Sequence, residues 1–232
     1  MPMIRSYVIT LMEELLGTSP SEVLIYEGFV GDKAPDAPSL EEEVATLGVD
    51  EVVLKGTTIF HRDEEGAPII WDYQLKGFFK DTCSILSRTS DDAGKNSRKI
   101  TAFKKVIDGL VFPFPRRIRL NIPEGKEMGT CQRPIRISDQ KGERVALCNS
   151  ETVPAGTTFE IQIHHMELAP PKAPKKPAAK KGATKAAPAP APTPVAKTVL
   201  ADAITEWLDH GKYRGLGQWR NSGKGRFTYE TK

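Results

Sequence analysis

The chain has 232 residues and a formal net charge of +3, and this length is enough for one well-filled hydrophobic core. It has no apolar run of about eighteen residues and no charged-then-apolar leader, so we expect no membrane span, no secretory signal and a cytoplasmic location. Its three cysteines are odd in number, widely spaced and without a CxxC pair, which argues against a disulfide framework and a zinc site.

The charge is unevenly distributed along the chain. Residues 1–66 hold 4 Lys+Arg against 14 Asp+Glu, net −10, and residues 67–232 hold 29 against 16, net +13. This split fits a protein that turns one face toward a polyanion and keeps another face away from it. It equally fits acidic helices and a basic linker that only keep the protein soluble, and composition alone favours this second interpretation.

The first 71 residues predict a strand, two acidic helices and a hairpin. Alternating apolar residues predict a strand over 4–11. Ser21 can cap one short helix, and Ser39 with Glu42 forms a capping box before a second. Residues 52–60 and 67–71 flank the turn Asp63-Glu64-Glu65-Gly66 and therefore predict a hairpin.

The clearest helix is predicted over residues 73–88, because its apolar residues recur at helical spacing. Residues 89–99 are polar and without periodicity, which predicts a flexible loop before a short helix over 101–109. The stripe of the long helix consists of Leu75, Phe78, Phe79, Thr82, Ile85 and Leu86.

The region after residue 110 is predicted to be mostly antiparallel sheet. We expect strands around 118–122, a hairpin in which Ile135 and Ile137 face Val145 and Leu147, and a strand over 157–166. The polar faces of these strands carry more arginines than a protein can bury unpaired. They are Arg116, Arg117, Arg119, Arg133, Arg136 and Arg144.

A basic linker is predicted over residues 169–198, because Ala, Pro, Lys, Thr and Gly dominate it and it cannot bury enough apolar surface to order itself. This linker holds seven lysines and no acidic residue, so the net charge of the rest of the chain is 3 − 7 = −4. We therefore expect residues 1–168 and 199–232 to form one domain with the linker between them. The second segment begins with a helix over 199–209, stops at a left-handed Gly211 and ends in a strand over 226–230.

The stretch 211–226 is the most informative part of the sequence, with five glycines, five basic residues, Tyr213, Trp219 and no acid. Glycine lets a backbone approach phosphate closely, Arg and Lys neutralise it, and an aromatic ring can stack on a base. This composition predicts a site for single-stranded nucleic acid, although the same segment could be a connection whose Trp219 packs into the core. The candidate binding residues are Lys212, Arg214, Gly217, Trp219, Arg220, Asn221, Lys224 and Arg226.

A second candidate lies where the predicted strand 67–71 enters the long helix. Backbone NH groups at a helix start can bind anions, and Lys76 and Lys80 extend along one side. Gly77 inside the first turns costs about 1 kcal/mol against Ala, and close backbone approach to a ligand would explain it. Tight packing of the helix on the sheet would explain it equally well.

These features resemble the RAMP superfamily, whose members form the backbone of CRISPR effector complexes. In that family a Ser-Leu-Lys-Gly type motif opens the first core helix, and Gln74-Leu75-Lys76-Gly77 stands at that place here. A Gly-rich basic loop precedes the last strand in that family, as residues 215–227 do here. The resemblance implies an α+β fold with a ferredoxin-like, RRM-like core, inserted hairpins and helices, and single-stranded RNA or DNA held across the sheet and the helix start.

The chain also looks like a family of uncharacterised bacteriophage and prophage proteins. This resemblance covers nearly everything except the linker, including Leu16-Gly17-Thr18-Ser19-Pro20 and the ending Trp219-Arg220-Asn221-Ser222-Gly223-Lys224-Gly225-Arg226-Phe227. It implies a phage protein in the host cytoplasm that acts in replication, in recombination or against a host nucleic-acid system. By analogy with RAMP subunits, copies could line up as a homo-oligomer or filament.

Two alternatives belong to other functional classes. The acidic residues Glu41, Glu42 and Glu43 could imitate nucleic acid in a decoy that docks on a host or CRISPR protein. An endoribonuclease could use His61, Asp91 or Asp92, but none of these has a second catalytic group at recognisable spacing. We therefore predict a non-catalytic protein with no catalytic residue and no cofactor. We also predict no metal site, because the neighbours His164 and His165 would point to opposite faces of a strand.

Overall fold

The computed structural model describes residues 2–20, 57–139, 142–168 and 199–232, with the side chains of 135–146 outside the description. The helices are α1 (Asp72–Leu86), α2 (Phe103–Leu110) and α3 (Val199–Asp209). Short 3₁₀ turns cover Asp92–Gly94, Ser97–Lys99, His210–Lys212 and Arg220–Ser222. The strands are β1 (Met3–Leu11), β2 (Leu15–Leu16), β3 (Thr57–Thr58), β4 (His61–Arg62), β5 (Pro68–Trp71), β6 (Val111–Phe114), β7 (Arg117–Arg119), β8 (Gly129–Asp139), β9 (Gly142–Val153), β10 (Thr158–His165) and β11 (Phe227–Thr231).

The central sheet has four antiparallel strands in the spatial order β11-β1-β10-β6. Along the chain the strands of this sheet and the two helices follow the order β1, α1, β6, β10, α3, β11. Helix α1 leads from β1 to β6, helix α3 leads from β10 to β11, and the last strand, β11, lies beside the first, β1. This is the βαββαβ arrangement of the ferredoxin-like fold. The predicted α+β, ferredoxin-like class is confirmed, and the last 34 residues supply its second helix and its edge strand.

The core lies between one face of this sheet and the helices α1 and α3. In β1, Tyr7, Ile9 and Leu11 are buried on the helix side, because alternate residues of a strand point to the same face. Phe79 of α1 meets Trp207 of α3 with ring centroids 5.5 Å apart. The apolar stripes that predicted both helices are therefore the surfaces by which they pack.

Two smaller sheets extend this core. One is the long hairpin of β8 and β9, with β2 and β3 on the other side of β9. The register places Ile135 opposite Ala146 and Ile137 opposite Arg144, so the predicted pairing with Val145 and Leu147 is shifted by one residue. The other sheet has the order β4-β5-β7.

The predicted hairpin before α1 is confirmed only in its shorter part. His61–Arg62 pairs with Pro68–Trp71 across the predicted turn, in which Gly66 has a φ of +82°. Thr57–Thr58 instead pairs in parallel with β9. The local alternation could not reveal this distant partner, and residues 52–56 lie outside the described residues.

Three further differences have clear physical causes. The edge strand β6 was missed because Pro113 interrupts its pattern, although proline is tolerated on an edge. Gly211 is not a left-handed stop, because its φ is not positive. A Cβ there would instead clash with the ring of Phe227. The loop after α1 is anchored by the Glu206 carboxylate, which accepts hydrogen bonds from the backbone NH groups of Asn96 and Ser97 at 2.8 and 2.9 Å.

The acidic helices predicted after Ser21 and Ser39 and the linker predicted over 169–198 lie outside the described residues. Within the described part of the chain, no helix is long and apolar enough to cross a membrane. The same residues contain no group of three His, Cys, Asp or Glu side chains that could hold a metal ion.

Candidate nucleic-acid interface

A groove of about 490 Å³ joins the two segments that the sequence singled out. One wall is the start of α1, with Tyr73, Gln74 and Gly77, and the opposite wall is the Gly-rich loop, with Gly217 and Arg220. None of the described residues lining this helix–loop groove carries a carboxylate. Residues 18–20, His61 and Phe78 complete the lining.

Gly77 lies on the exposed surface of α1, with nothing within 4 Å of the position that a Cβ would take. Packing of the helix on the sheet therefore does not explain this glycine. A glycine inside a helix costs about 1 kcal/mol against alanine. The structural consequence of Gly77 is an uncovered stretch of helix backbone on the wall of the groove.

The start of α1 offers fewer backbone donors than the sequence predicted. The Trp71 NH donates to the Gln74 side-chain oxygen at 2.9 Å, and the Asp72 NH donates to the Arg116 carbonyl at 3.1 Å. Asp72 also places a negative charge in the first helical turn. The helix start is therefore a poorer anion site than a bare helix terminus.

Lys76 and Lys80 lie on a different side of α1 from the groove. The Lys76 ammonium is 4.7 Å from the ring centroid of Phe112, and Lys80 pairs with Asp108 at 2.6 Å. Tyr73, Gly77 and Asp81, spaced by four residues, face the groove and the Gly-rich loop instead. The structure therefore does not bring the two lysines together with the loop arginines.

The glycines of the loop are explained by its own packing rather than by a phosphate. Gly217 has a φ of +70°, and a Cβ there would lie 2.8 Å from Cδ1 of Leu15 in β2. Gly215 and Gly225 face each other across the two limbs of the loop, where a Cβ on either would clash with backbone atoms. The Leu216 NH donates to the Gly225 carbonyl at 2.9 Å and closes the two limbs.

Several loop cations are paired with carboxylates from distant segments. Arg214 and Arg220 share one oxygen of Asp81, at 2.8 and 2.9 Å. Lys224 pairs with Glu14. One carboxylate cannot neutralise two guanidinium groups, so the Asp81 cluster keeps a net positive charge beside the groove.

Trp219 is not sealed in the core: its side chain is 39% exposed. Its backbone is left-handed, with a φ of +54°, a conformation that costs a bulky residue about 1 to 3 kcal/mol. The indole lies 5.4 Å from the guanidinium carbon of Arg133, which is only 5% exposed. Arg133 in turn donates to Ser150 at 3.0 Å and to Gln218, and these bonds fix the surface on which the indole rests.

The remaining predicted residues lie on or within the loop. The Lys212 ammonium is 5.1 Å from the ring centroid of Tyr213, and both side chains are exposed. Asn221 accepts a hydrogen bond from Arg214 and so supports the Asp81 cluster. The Arg226 Nε is buried and has no partner among the described residues.

Sequence reasoning missed Tyr73, Arg133 and Gln218 as parts of this site. Tyr73 begins the predicted helix 73–88, but only the strand register and the loop show that its 58% exposed ring lines a groove. Arg133 was one of several strand arginines. Nothing in its local sequence marks it as the one buried beneath Trp219.

The nuclease candidates are separated in the structure. His61 lines the helix–loop groove and meets the Trp71 ring edge-on at 5.5 Å. Asp91 and Asp92 lie exposed at the loop after α1, where the Asp91 carbonyl accepts from Arg98 at 2.8 Å. The structure therefore does not place these aspartates in the groove with His61.

Two histidines have lowered pKa values for the same physical reasons. Burial lowers the pKa of His165, and the nearby positive charge of Arg5 lowers it further. Burial and then Arg214 lower the pKa of His210, which precedes the loop. Both shifts favour the neutral imidazole, so each side chain carries less positive charge than an ordinary exposed histidine at the same pH.

No protein-family model and no curated protein matches this chain. Among solved structures, a chain in the cryo-EM structure of the Type III-B Cmr-beta bound to cognate target RNA is similar, with 11% identity and a TM-score of 0.48. That similarity covers 98% of this chain but only 60% of that one. A chain of a Type IV-B CRISPR complex is similar over 99% of this chain and 90% of its own length, with 10% identity and a TM-score of 0.46.

Proposed function

We propose that this protein binds single-stranded nucleic acid, RNA or DNA, in the helix–loop groove and performs no chemistry on it. The observation that carries the proposal is the composition of the groove, which combines exposed rings and excess guanidinium charge with no carboxylate among the described residues that line it. A single strand offers both a phosphate chain and unpaired base faces, and these two kinds of side chain bind them together.

Each wall supplies one part of this recognition. Tyr73 presents a ring that is 58% exposed, on which a base can stack, and the uncovered backbone at Gly77 leaves room for a sugar-phosphate chain beside it. Arg220 faces this space from the loop and shares Asp81 with Arg214. The excess positive charge of this cluster attracts phosphate.

Trp219 adds a second stacking surface next to Arg220. The buried Arg133 beneath the indole holds it in place, so little rotamer freedom is lost when a base stacks on it. Lys212, Lys224 and Arg226 belong to the proposed interface as lesser contributors, since Lys224 is already paired with Glu14. A phage origin, a cytoplasmic location and assembly into filaments remain predictions of the family resemblances.

The test is fluorescence anisotropy with labelled single-stranded oligonucleotides and the double variant Tyr73→Ala/Arg220→Ala. We expect the affinity to fall at least about tenfold, because one stacked base and one phosphate contact are lost together. The control is Arg88→Ala, which removes an exposed arginine that does not line the groove. Equal affinities of this control and the double variant would refute the proposed site.

A further inference from the structure

A band of aromatic and arginine side chains leaves the helix–loop groove at Tyr73. The Tyr73 ring stacks on Trp71, with centroids 6.4 Å apart and ring planes 13° from parallel. The guanidinium carbon of Arg117 lies 5.8 Å from the Trp71 ring centroid. Trp71 and Arg117 are partners in the register of β5 and β7, so this contact is built into the sheet.

The far end of this band opens into a second groove, of about 880 Å³. This sheet groove includes Arg117, Phe114, Gln162 and Ser6. Gln162 pairs with Phe114 on one side and with Ser6 on the other in the central sheet. These residues alternate with the buried Ile161 and Ile163, so they lie on the face turned away from α1 and α3.

The sheet groove has its own ring surface. The Phe114 side chain is 45% exposed, and its ring centroid lies 4.5 Å from that of His164. The Nε2 atom of His164 is buried and has no hydrogen-bond partner among the described residues. The exposed phenyl ring therefore offers a stacking surface, and the His164 imidazole supports it from the sheet.

Two neighbouring arginines along this band carry positive charge that is unpaired within the described part of the chain. Among the described residues, no carboxylate pairs with Arg117 or with its exposed neighbour Arg116. Glu160, which lines the sheet groove, is paired with Lys232 at 2.9 Å. Arg119, which also lines the sheet groove, is shared by Asp63 and Glu65. Phosphate groups passing along the band would therefore meet cations at Arg116 and Arg117 that no described carboxylate pairs with.

We propose that the nucleic-acid strand does not end in the helix–loop groove but continues over Trp71 and Arg117 into the sheet groove, where the exposed Phe114 ring forms a second subsite for a base. This inference rests on the proposed function, because it extends the path of the same strand. The alternation of exposed rings with arginines fits a single strand. A duplex keeps its bases stacked inside and would offer these rings no base face to stack on.

The experiment measures affinity against oligonucleotide length. Labelled oligo-dT of about 4, 8, 12 and 16 nucleotides is titrated against the wild type and against Phe114→Leu/Arg117→Gln, which keeps side-chain bulk but removes one ring and one charge. We expect the shortest oligonucleotide to bind both proteins equally and the longest to bind the variant about five- to tenfold more weakly. Arg88→Gln, at an exposed arginine outside both grooves, is the charge-matched control and should lose almost nothing.

The outcomes separate this inference from the proposed function. No loss at the longest would overturn the continued path while leaving the helix–loop groove as the binding site. Equal loss at every length would overturn it too, because even the shortest oligonucleotide would then depend on the sheet groove. No binding by the wild type at any length would overturn the proposed function and this inference with it. Should the double variant fail to fold, as judged by thermal melting, Arg117→Gln alone should still weaken only the longer oligonucleotides, by about threefold.

Discussion

The Gly-rich loop and the short segment from β6 to β7 show how differently basic residues can be used. In the loop, Arg214 and Arg220 converge on Asp81, and Lys224 pairs with Glu14. In the segment from β6 to β7, Arg116 and Arg117 are exposed, and no carboxylate among the described residues pairs with them. The loop is richer in basic residues, but three of its five are held in ion pairs with Asp81 and Glu14.

This contrast shows that local composition identifies basic segments but not the charge that remains available to a ligand. The partners of the loop come from far away in the chain: Arg214 and Asp81 are 133 residues apart. The loop glycines likewise serve close contacts with β2 and within the loop itself. The loop is therefore a structural element, and in the proposed function it is also one wall of the binding groove.

The largest expected effect is a loss of stability when the packing of the Gly-rich loop is disturbed. Replacement Gly225→Ala should lower the free energy of unfolding by about 3 kcal/mol, because Gly225 has a positive φ and its Cβ would clash with the Leu216 carbonyl. Urea denaturation followed by circular dichroism measures this loss. An unchanged midpoint would mean that the loop does not need its glycines for packing.

A smaller effect is expected when the loop arginines are released from their carboxylate. Asp81→Asn keeps the side-chain shape but removes the charge shared by Arg214 and Arg220. We expect oligonucleotide affinity to rise by about three- to fivefold and its salt dependence to steepen, because more positive charge becomes available to phosphate. Weaker binding with an unchanged salt slope would show that Asp81 serves only to position the arginines.

Gly77→Ala should separate stability from binding. Nothing lies within 4 Å of the new methyl group, so the substitution should stabilise the protein by about 1 kcal/mol through helix propensity. If the nucleic-acid backbone passes over this turn, affinity should fall about threefold in the same protein. A variant that gained stability and kept full affinity would exclude close approach at Gly77.

The smallest expected effect concerns pH. Because the pKa of His165 is lowered in the folded protein, first by burial and then by Arg5, the unfolded chain binds more protons as the pH falls through 6.5. Stability should therefore decrease from about pH 7 to about pH 5.5, and His165→Gln should reduce this slope. Glu167, whose raised pKa acts in the opposite sense, titrates from a lower ordinary value of 4.5. An identical pH dependence in the variant would remove His165 as the cause.

Much of the fold could be predicted because its elements carry strong periodic patterns. Sequence patterns were sufficient to predict α1, α3, β1 and β10. The helices carry apolar stripes and the strands alternate, because each element buries one face against the others. The edge strand β6 could not be predicted, because Pro113 breaks the pattern and only its pairing with β10 defines it. The parallel pairing of β3 with β9 likewise depends on a partner distant in sequence.

The candidate site was only partly visible in the sequence, for a related reason. The two segments that form its walls were recognised, and the fold brings Gly77 and Gly217 to the same groove. The separation of Lys76 and Lys80 from that groove depends on which side of α1 meets α2, as their contacts with Asp108 show. The burial of Arg133 beneath Trp219 depends on the packing of the loop against β8 and β9.

The most direct test of the central claim is photo-crosslinking of the full chain to a thiolated single-stranded oligonucleotide, followed by mass spectrometry of the adducts. We predict adducts at Tyr73, which lines the helix–loop groove, and at Trp219, which precedes the lining residue Arg220. These adducts should be lost when unlabelled single strand is added in excess. Adducts confined to the lysine-rich residues 172–197, or none on either ring, would contradict the account.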